Sequence, residues 1–103
     1  MNLITLFLTC ADSDEADKIV AKLLDDKLIT CSRRVAVSSD YWWKGKKERA
    51  NEIQLIMESA EDKFDQIETT VSQLHSYEMF TLTAYPVIKA SRGVEHWVKE
   101  VLK

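Results

Sequence analysis

The run Leu3-Ile4-Thr5-Leu6-Phe7-Leu8 is almost continuously apolar over a strand's length. Such a run marks a strand that lies centrally in its sheet or is covered on both faces. Asp12 follows, with Glu15 three residues on, which is the pattern of a capping box. It opens a stripe of Ala16, Ile19, Val20, Leu23 and Leu24 at helical spacing, with Asp17, Lys18, Lys22, Asp25 and Asp26 on the opposite face. This helix is expected to end near Lys27, where a β-rich run from Leu28 to Ser39 takes over. From Glu52 to Met57 a third strand is expected, with Ile53, Leu55 and Met57 on one face and Gln54 and Ile56 on the other. Ser59-Ala60-Glu61-Asp62 has the form of a second cap, and Phe64, Ile67, Val71 and Leu74 step by three and four through a second helix. Phe80 to Val87 reads as a fourth strand whose end Pro86 demotes to an edge. Val94, Trp97, Val98, Val101 and Leu102 form a short C-terminal helix.

The order β-α-β-β-α-β plus a terminal helix is the split βαβ arrangement, an α+β ferredoxin-like sandwich with an antiparallel sheet. Residues 1–103 make one domain, without repeats, linkers or low-complexity tracts. Tracing the strand directions brings the end of the first strand, the start of the first helix, the end of the second helix and the start of the last strand to one edge. Cys10, Asp12, His75, Tyr77 and Glu78 all map there.

Between the second and third strands stands Tyr41-Trp42-Trp43-Lys44-Gly45-Lys46-Lys47, three adjacent aromatics beside a glycine turn and the cations Lys44, Lys46, Lys47 and Arg49. The strands and this turn make a long β2-β3 hairpin whose tip must bury its aromatics against something. Tyr41, Trp42 and Trp43 are therefore expected at a subunit interface.

Composition narrows the partners. With 14 basic and 17 acidic residues the net charge is −3, which argues against a constitutive nucleic-acid binder. No eighteen apolar residues run together, so no transmembrane helix is expected. Nothing basic precedes Leu3–Leu8, and Thr5 and Thr9 interrupt it, so a buried first strand is expected there rather than a leader. Two cysteines, Cys10 and Cys31, without a framework of spacings suit reduced thiols in the cytoplasm. Spacing alone leaves a Cys10–Cys31 bridge open.

Candidate chemistry is sparse. Cys10 precedes a helix N-terminus, where the dipole favours an anion, so an easily formed thiolate is expected. With His75 it supplies one sulfur and one imidazole, donors suited to copper or zinc. The plainer alternatives are packing for either cysteine and a helix-end interaction for His75, while His96 is expected at the surface. With Gly45 and Gly93 the only glycines, no phosphate cradle is available, and no nucleophile elbow or paired acid and base stands out among Glu52, Glu58 and Glu78. No enzymatic activity is expected.

Taken in order, Thr9-Cys10-Ala11 before Asp14-Glu15, Leu28-Ile29-Thr30-Cys31, the Trp-x-Gly-Lys hairpin, Glu52 to Ile56, His75-Ser76-Tyr77-Glu78 and Trp97 resemble the CutA-type divalent-cation tolerance family over nearly the whole chain. The resemblance implies a homotrimer whose hairpins reach neighbouring subunits and a role in the response to copper or similar metal ions. It also implies Cys10 and His75 as metal ligands, and the edge they share makes Tyr77 and Glu78 their expected supporting shell. The metal is not expected to be needed for folding, and an unidentified protein partner is implied for any signal. Where the family usually has Pro, this chain has Ser76; Phe80-Thr81 replaces Pro-Glu, Arg33 a common Asn, and Glu58-Ser59 a common Lys-Thr. An alternative expectation is a trimer like the PII signalling proteins, holding a small anionic ligand in intersubunit clefts with Arg33, Arg34, Lys44 and Lys46.

Overall fold

The computed structural model describes residues 1–102. Eight elements follow in order: β1 (Leu3–Cys10), α1 (Ser13–Asp25), β2 (Cys31–Trp43), β3 (Lys46–Ala60), a 3₁₀ turn (Glu61–Lys63), α2 (Phe64–Leu74), β4 (Leu82–Pro86) and α3 (Val94–Val101). The four strands form one antiparallel sheet in the order β2-β3-β1-β4. The expected ferredoxin-like topology is the one observed.

The central position of β1 explains its apolar run. Ile4, Leu6, Leu8 and Cys10 alternate into the face under the helices, and Leu3, Thr5, Phe7 and Thr9 are half-buried on the other. Opposite them, Leu55 and Met57 of β3 meet Ile19 and Leu23 of α1 and Ile67 and Val71 of α2 in a core from which water is excluded. Each such side chain contributes about 1.5 to 3 kcal/mol by leaving water. On the outer face Phe7 packs edge-on against Tyr85, ring centroids 5.5 Å apart.

Several boundaries differ from those expected. β2 starts at Cys31 rather than Leu28, because Leu28 closes the end of α1: its N–H donates to the Leu23 carbonyl and that of Lys27 to the Leu24 carbonyl, with Lys27 left-handed at φ 60. That is a Schellman closure, and it uses Leu28 before the ladder can. Ser59 does not cap α2. It lies in β3, and its hydroxyl donates to the Leu28 carbonyl at 2.6 Å, so α2 is entered through the 3₁₀ turn instead. β4 begins two residues after Phe80, whose ring is drawn onto His75.

The hairpin is longer than its apolar alternation suggests. β1 leaves β3 at the pair Cys10–Ile53, but β2 stays paired to β3 as far as Trp43–Lys46. Lys44 (φ 49) and Gly45 (φ 80) close the hairpin as a two-residue turn with both φ values positive. The free ribbon stretches the molecule to 45 × 25 × 21 Å and its radius of gyration to 14.3 Å, against about 13 Å for a compact chain of this length.

Candidate metal centre

Three segments converge where β1 ends. Asp12 accepts from the Glu15 N–H at 2.9 Å and caps α1, which turns the Glu15 side chain back under the cap. Its carboxylate does not complete a capping box on Asp12. One oxygen accepts from the Ala11 N–H at 2.7 Å, the other from the Ser76 N–H at 2.6 Å. α2 ends at His75, whose extended backbone points the ring inward over Cys10.

The result is a buried cluster of thiol, carboxylate and imidazole. One donor atom each from Cys10, Glu15 and His75 lie within 4.8 Å of one another. Sequence topology placed Cys10 and His75 at one edge; it missed Glu15, because a glutamate at that position reads as half of a cap. The cue available was its spacing from Asp12, which turns Glu15 toward the helix start.

Partners fix the tautomer of the imidazole. Nε2 lies 2.8 Å from the Thr9 carbonyl oxygen, which only accepts, so Nε2 carries the proton. Nδ1 accepts from the Tyr77 N–H at 3.1 Å and is bare. The ring stacks on Phe80 with centroids 5.2 Å apart and is fully buried. Nε2 is also the nitrogen facing the cluster, 3.6 Å from Glu15 Oε2.

The expectation of an easily formed Cys10 thiolate is corrected here. Burial and the neighbouring Glu15 carboxylate push the thiol up to about 12, far above an ordinary thiol, and outweigh the helix dipole. Glu15 moves the other way. Burial raises it, but the hydrogen bonds from Ser76 and Ala11 prevail and hold the carboxyl below its ordinary value.

Tyr77 and Glu78, expected around the ligands, divide differently. The backbone of Tyr77 supports His75, while its phenol donates to Glu52, a nearly buried carboxylate on β3 just where the hairpin leaves β1. Burial and that carboxylate raise the phenol well above its usual range. Glu78 does not reach the cluster: it pairs with Lys44 of the hairpin turn at 3.6 Å. The loop after α2 therefore joins the cluster to the base and tip of the hairpin.

The other candidates lie apart. Tyr41 and Trp42 are exposed, Trp42 at 69%, with Lys47 over its ring at 5.7 Å and Lys44 over Trp43 at 5.5 Å. His96 is on the surface, as expected, beside Glu100. Cys31 lies on the outer sheet face, where its thiol donates to Glu58 at 2.8 Å and Arg33 pairs with the same carboxylate. The two departures Arg33 and Glu58 thus neutralise each other. A Cys10–Cys31 bridge is excluded: Cys10 stands level with Ala36 through Ile53, Cys31 level with Glu58, several rungs away and on the opposite face. A disulfide needs Cα atoms within about 7 Å.

As a donor set, one sulfur, one imidazole nitrogen and one carboxylate oxygen suit a borderline divalent ion and leave a coordination position open. Its hydrogen bonds define what such an ion must displace.

Comparisons with known proteins bear on the family and the fold. The family model of the CutA1 divalent ion tolerance protein matches residues 4–101. The divalent-cation tolerance protein CutA of Archaeoglobus fulgidus is 29% identical over 98 residues, covering 95% of this chain and 96% of that protein. That of Thermococcus kodakarensis is 29% identical over 102 residues, covering 99% and 98%. The structure described as the periplasmic divalent cation tolerance protein CutA from Archaeoglobus fulgidus superposes with a TM-score of 0.95 at 28% identity, covering 98% of this chain and 99% of that one. CutA1 from Oryza sativa, at 23% identity, shares the fold with a TM-score of 0.95 and covers 100% of this chain and 95% of that one.

Proposed function

The chain belongs to the CutA1 divalent ion tolerance protein family, and from that premise we propose that it serves the response to divalent metal ions such as copper as a cytoplasmic, homotrimeric binding protein without enzymatic activity. The observation that carries this reading is the convergence of Cys10, Glu15 and His75 donor atoms within 4.8 Å. Cys10 and His75 would hold the ion with Glu15 as a third donor. A bound ion there offers Lewis acidity and one exchangeable position.

The chain's own residues set the terms. The Cys10 thiol gives up a proton held up to about 12, so loading releases that proton. Burial of all three side chains excludes water and raises the cost of an uncompensated charge. Folding needs no metal in this reading, since each group already has a protein partner or a buried neutral form.

The homotrimer is supported by surfaces a lone chain leaves open. An isolated two-stranded ribbon is marginal in water, yet β2 and β3 extend well past β1 with Tyr41 and Trp42 exposed. The half-buried outer sheet face and the unpaired edges of β2 and β4 are further surfaces a second copy can cover. The cytoplasmic assignment rests on two unbridged thiols. An anion-binding cleft has less support: Arg33, Arg34 and Lys44 are each paired with a carboxylate, on Glu58, Asp17 and Glu78.

Equilibrium dialysis of the reduced protein with copper against a competing chelator tests the site. Binding that His75→Ala and Cys10→Ala each abolish is expected; unchanged stoichiometry and affinity in both variants removes it.

A further inference from the structure

The loop Ser76–Phe80 occupies the cluster's donors and the hairpin's anchors at once. Its Ser76 N–H is on Glu15, its Tyr77 N–H is on His75 Nδ1, and its Phe80 ring covers the imidazole. From the same few residues the Tyr77 phenol reaches Glu52 at the hairpin's base and Glu78 reaches Lys44 at its turn. We infer that this loop is a latch: metal ligation by His75 and release of the Tyr77 amide are one event, so occupancy of the cluster loosens the brace on the hairpin. This rests on the metal-binding reading above and adds how that site is regulated.

Proton bookkeeping carries the argument. A ligating imidazole nitrogen must present a lone pair. Nε2 faces the cluster but holds the proton, bonded to the Thr9 carbonyl. If Nε2 ligates, the neutral ring's proton moves to Nδ1, where it confronts the Tyr77 N–H: two donors face each other and that bond is lost. If Nδ1 ligates, the Tyr77 N–H must vacate the same lone pair. Both routes release the Tyr77 amide. His75 cannot both ligate the ion and keep the Tyr77 amide bonded, because a neutral imidazole has only one nitrogen with a free lone pair.

Two bonds in the latch are specific to the residues present. A proline at position 76 has no N–H and would leave Glu15 Oε1 free; Ser76 fills it. His75 is extended, at φ −79 and ψ 139, the region that a residue before proline adopts, so Ser76→Pro removes the donor without opposing the backbone at His75. Tyr77→Phe unfastens the loop from the other end by deleting the bond to Glu52 and leaves the amide in place.

Zinc, which is redox-silent toward thiols, is the probe. Amide-resolved hydrogen exchange of the full chain is measured with and without zinc, alongside zinc affinity for the native chain, Ser76→Pro, Tyr77→Phe and His75→Ala. Zinc is expected to speed exchange at Tyr77, and Ser76→Pro and Tyr77→Phe are each expected to bind zinc roughly fivefold more tightly, the equivalent of one hydrogen bond no longer displaced. Should Ser76→Pro fail to fold, Tyr77→Phe carries the affinity test. Binding that His75→Ala abolishes while the Tyr77 amide keeps its protection overturns the latch and leaves the site standing. Binding indifferent to His75→Ala overturns the site and the latch with it.

Discussion

Glu15 Oε1 accepts the Ser76 backbone N–H at 2.6 Å across 61 positions of sequence. The same carboxylate takes the Ala11 N–H, so one side chain ties the end of β1, the start of α1 and the exit of α2 together. Glu15→Ala leaves two amides without their acceptor and is expected to cost about 2 to 4 kcal/mol in urea unfolding. Glu15→Gln keeps the shape and tests the charge. Because the folded carboxyl is held below its ordinary value, its contribution is present above the unfolded carboxyl's pKa and lost as pH falls through the folded one. The variant should flatten the acid limb of the stability profile; an unchanged limb would assign that slope elsewhere.

At the alkaline end the thiols act with the opposite sign. Cys10, pushed from 9.0 to about 12, and Cys31, pushed to about 11 chiefly by burial and its bond to Glu58, keep protons that the unfolded chain sheds. Their contribution is whole below pH 9.0 and declines as pH climbs toward these folded values. Stability measured in steps above neutrality should fall, and Cys10→Ser should reduce the slope. Native Cys10 should also stay unreactive toward a thiol reagent until the chain unfolds.

The aromatic tip makes a separate claim about assembly. Trp42→Ala with Trp43→Ala removes one exposed and one half-buried ring at the end of an otherwise unsupported ribbon. Truncating an aromatic at an interface hot spot costs about 2 kcal/mol or more, so sedimentation of the double variant should show dissociation at concentrations where the native chain remains assembled. An equally heat-stable, fully assembled variant would contradict the interface.

Lys27 offers a purely local test. It occupies the left-handed position of the Schellman closure at φ 60, where a side chain is strained. Lys27→Gly should stabilise the chain by about 0.5 kcal/mol: a left-handed penalty of about 1 to 2 kcal/mol, less the roughly 0.5 to 1 kcal/mol that glycine's freedom in the unfolded chain takes back. Destabilisation would mean that the Lys27 side chain contributes through contacts rather than merely occupying the turn.

Periodicity and capping chemistry are local, and the elements that depend on them were legible. Alternation around Leu55 and Met57, the stripe from Ala16 to Leu24, Asp12 at the head of α1 and the Lys44–Gly45 turn each predicted what the fold contains. Ser59 misled because a strand residue and a cap residue can share one local pattern, and only the Leu28 carbonyl, 31 positions away, decided between them.

The sequence by itself determined the order of strands and helices, the edge at which Cys10 and His75 meet, and the family resemblance, since these rest on spacing and residue type within short windows. Tertiary structure alone decided that Glu15 joins them, that the Cys10 thiol is held protonated rather than activated, and that Glu78 serves the hairpin instead of the cluster. The tautomer of His75 belongs to the same class: it is set by the Thr9 carbonyl on one nitrogen and the Tyr77 amide on the other. Hydrogen-bond partners and burial arise from segments brought together only by folding, and neither leaves a periodic mark along the chain.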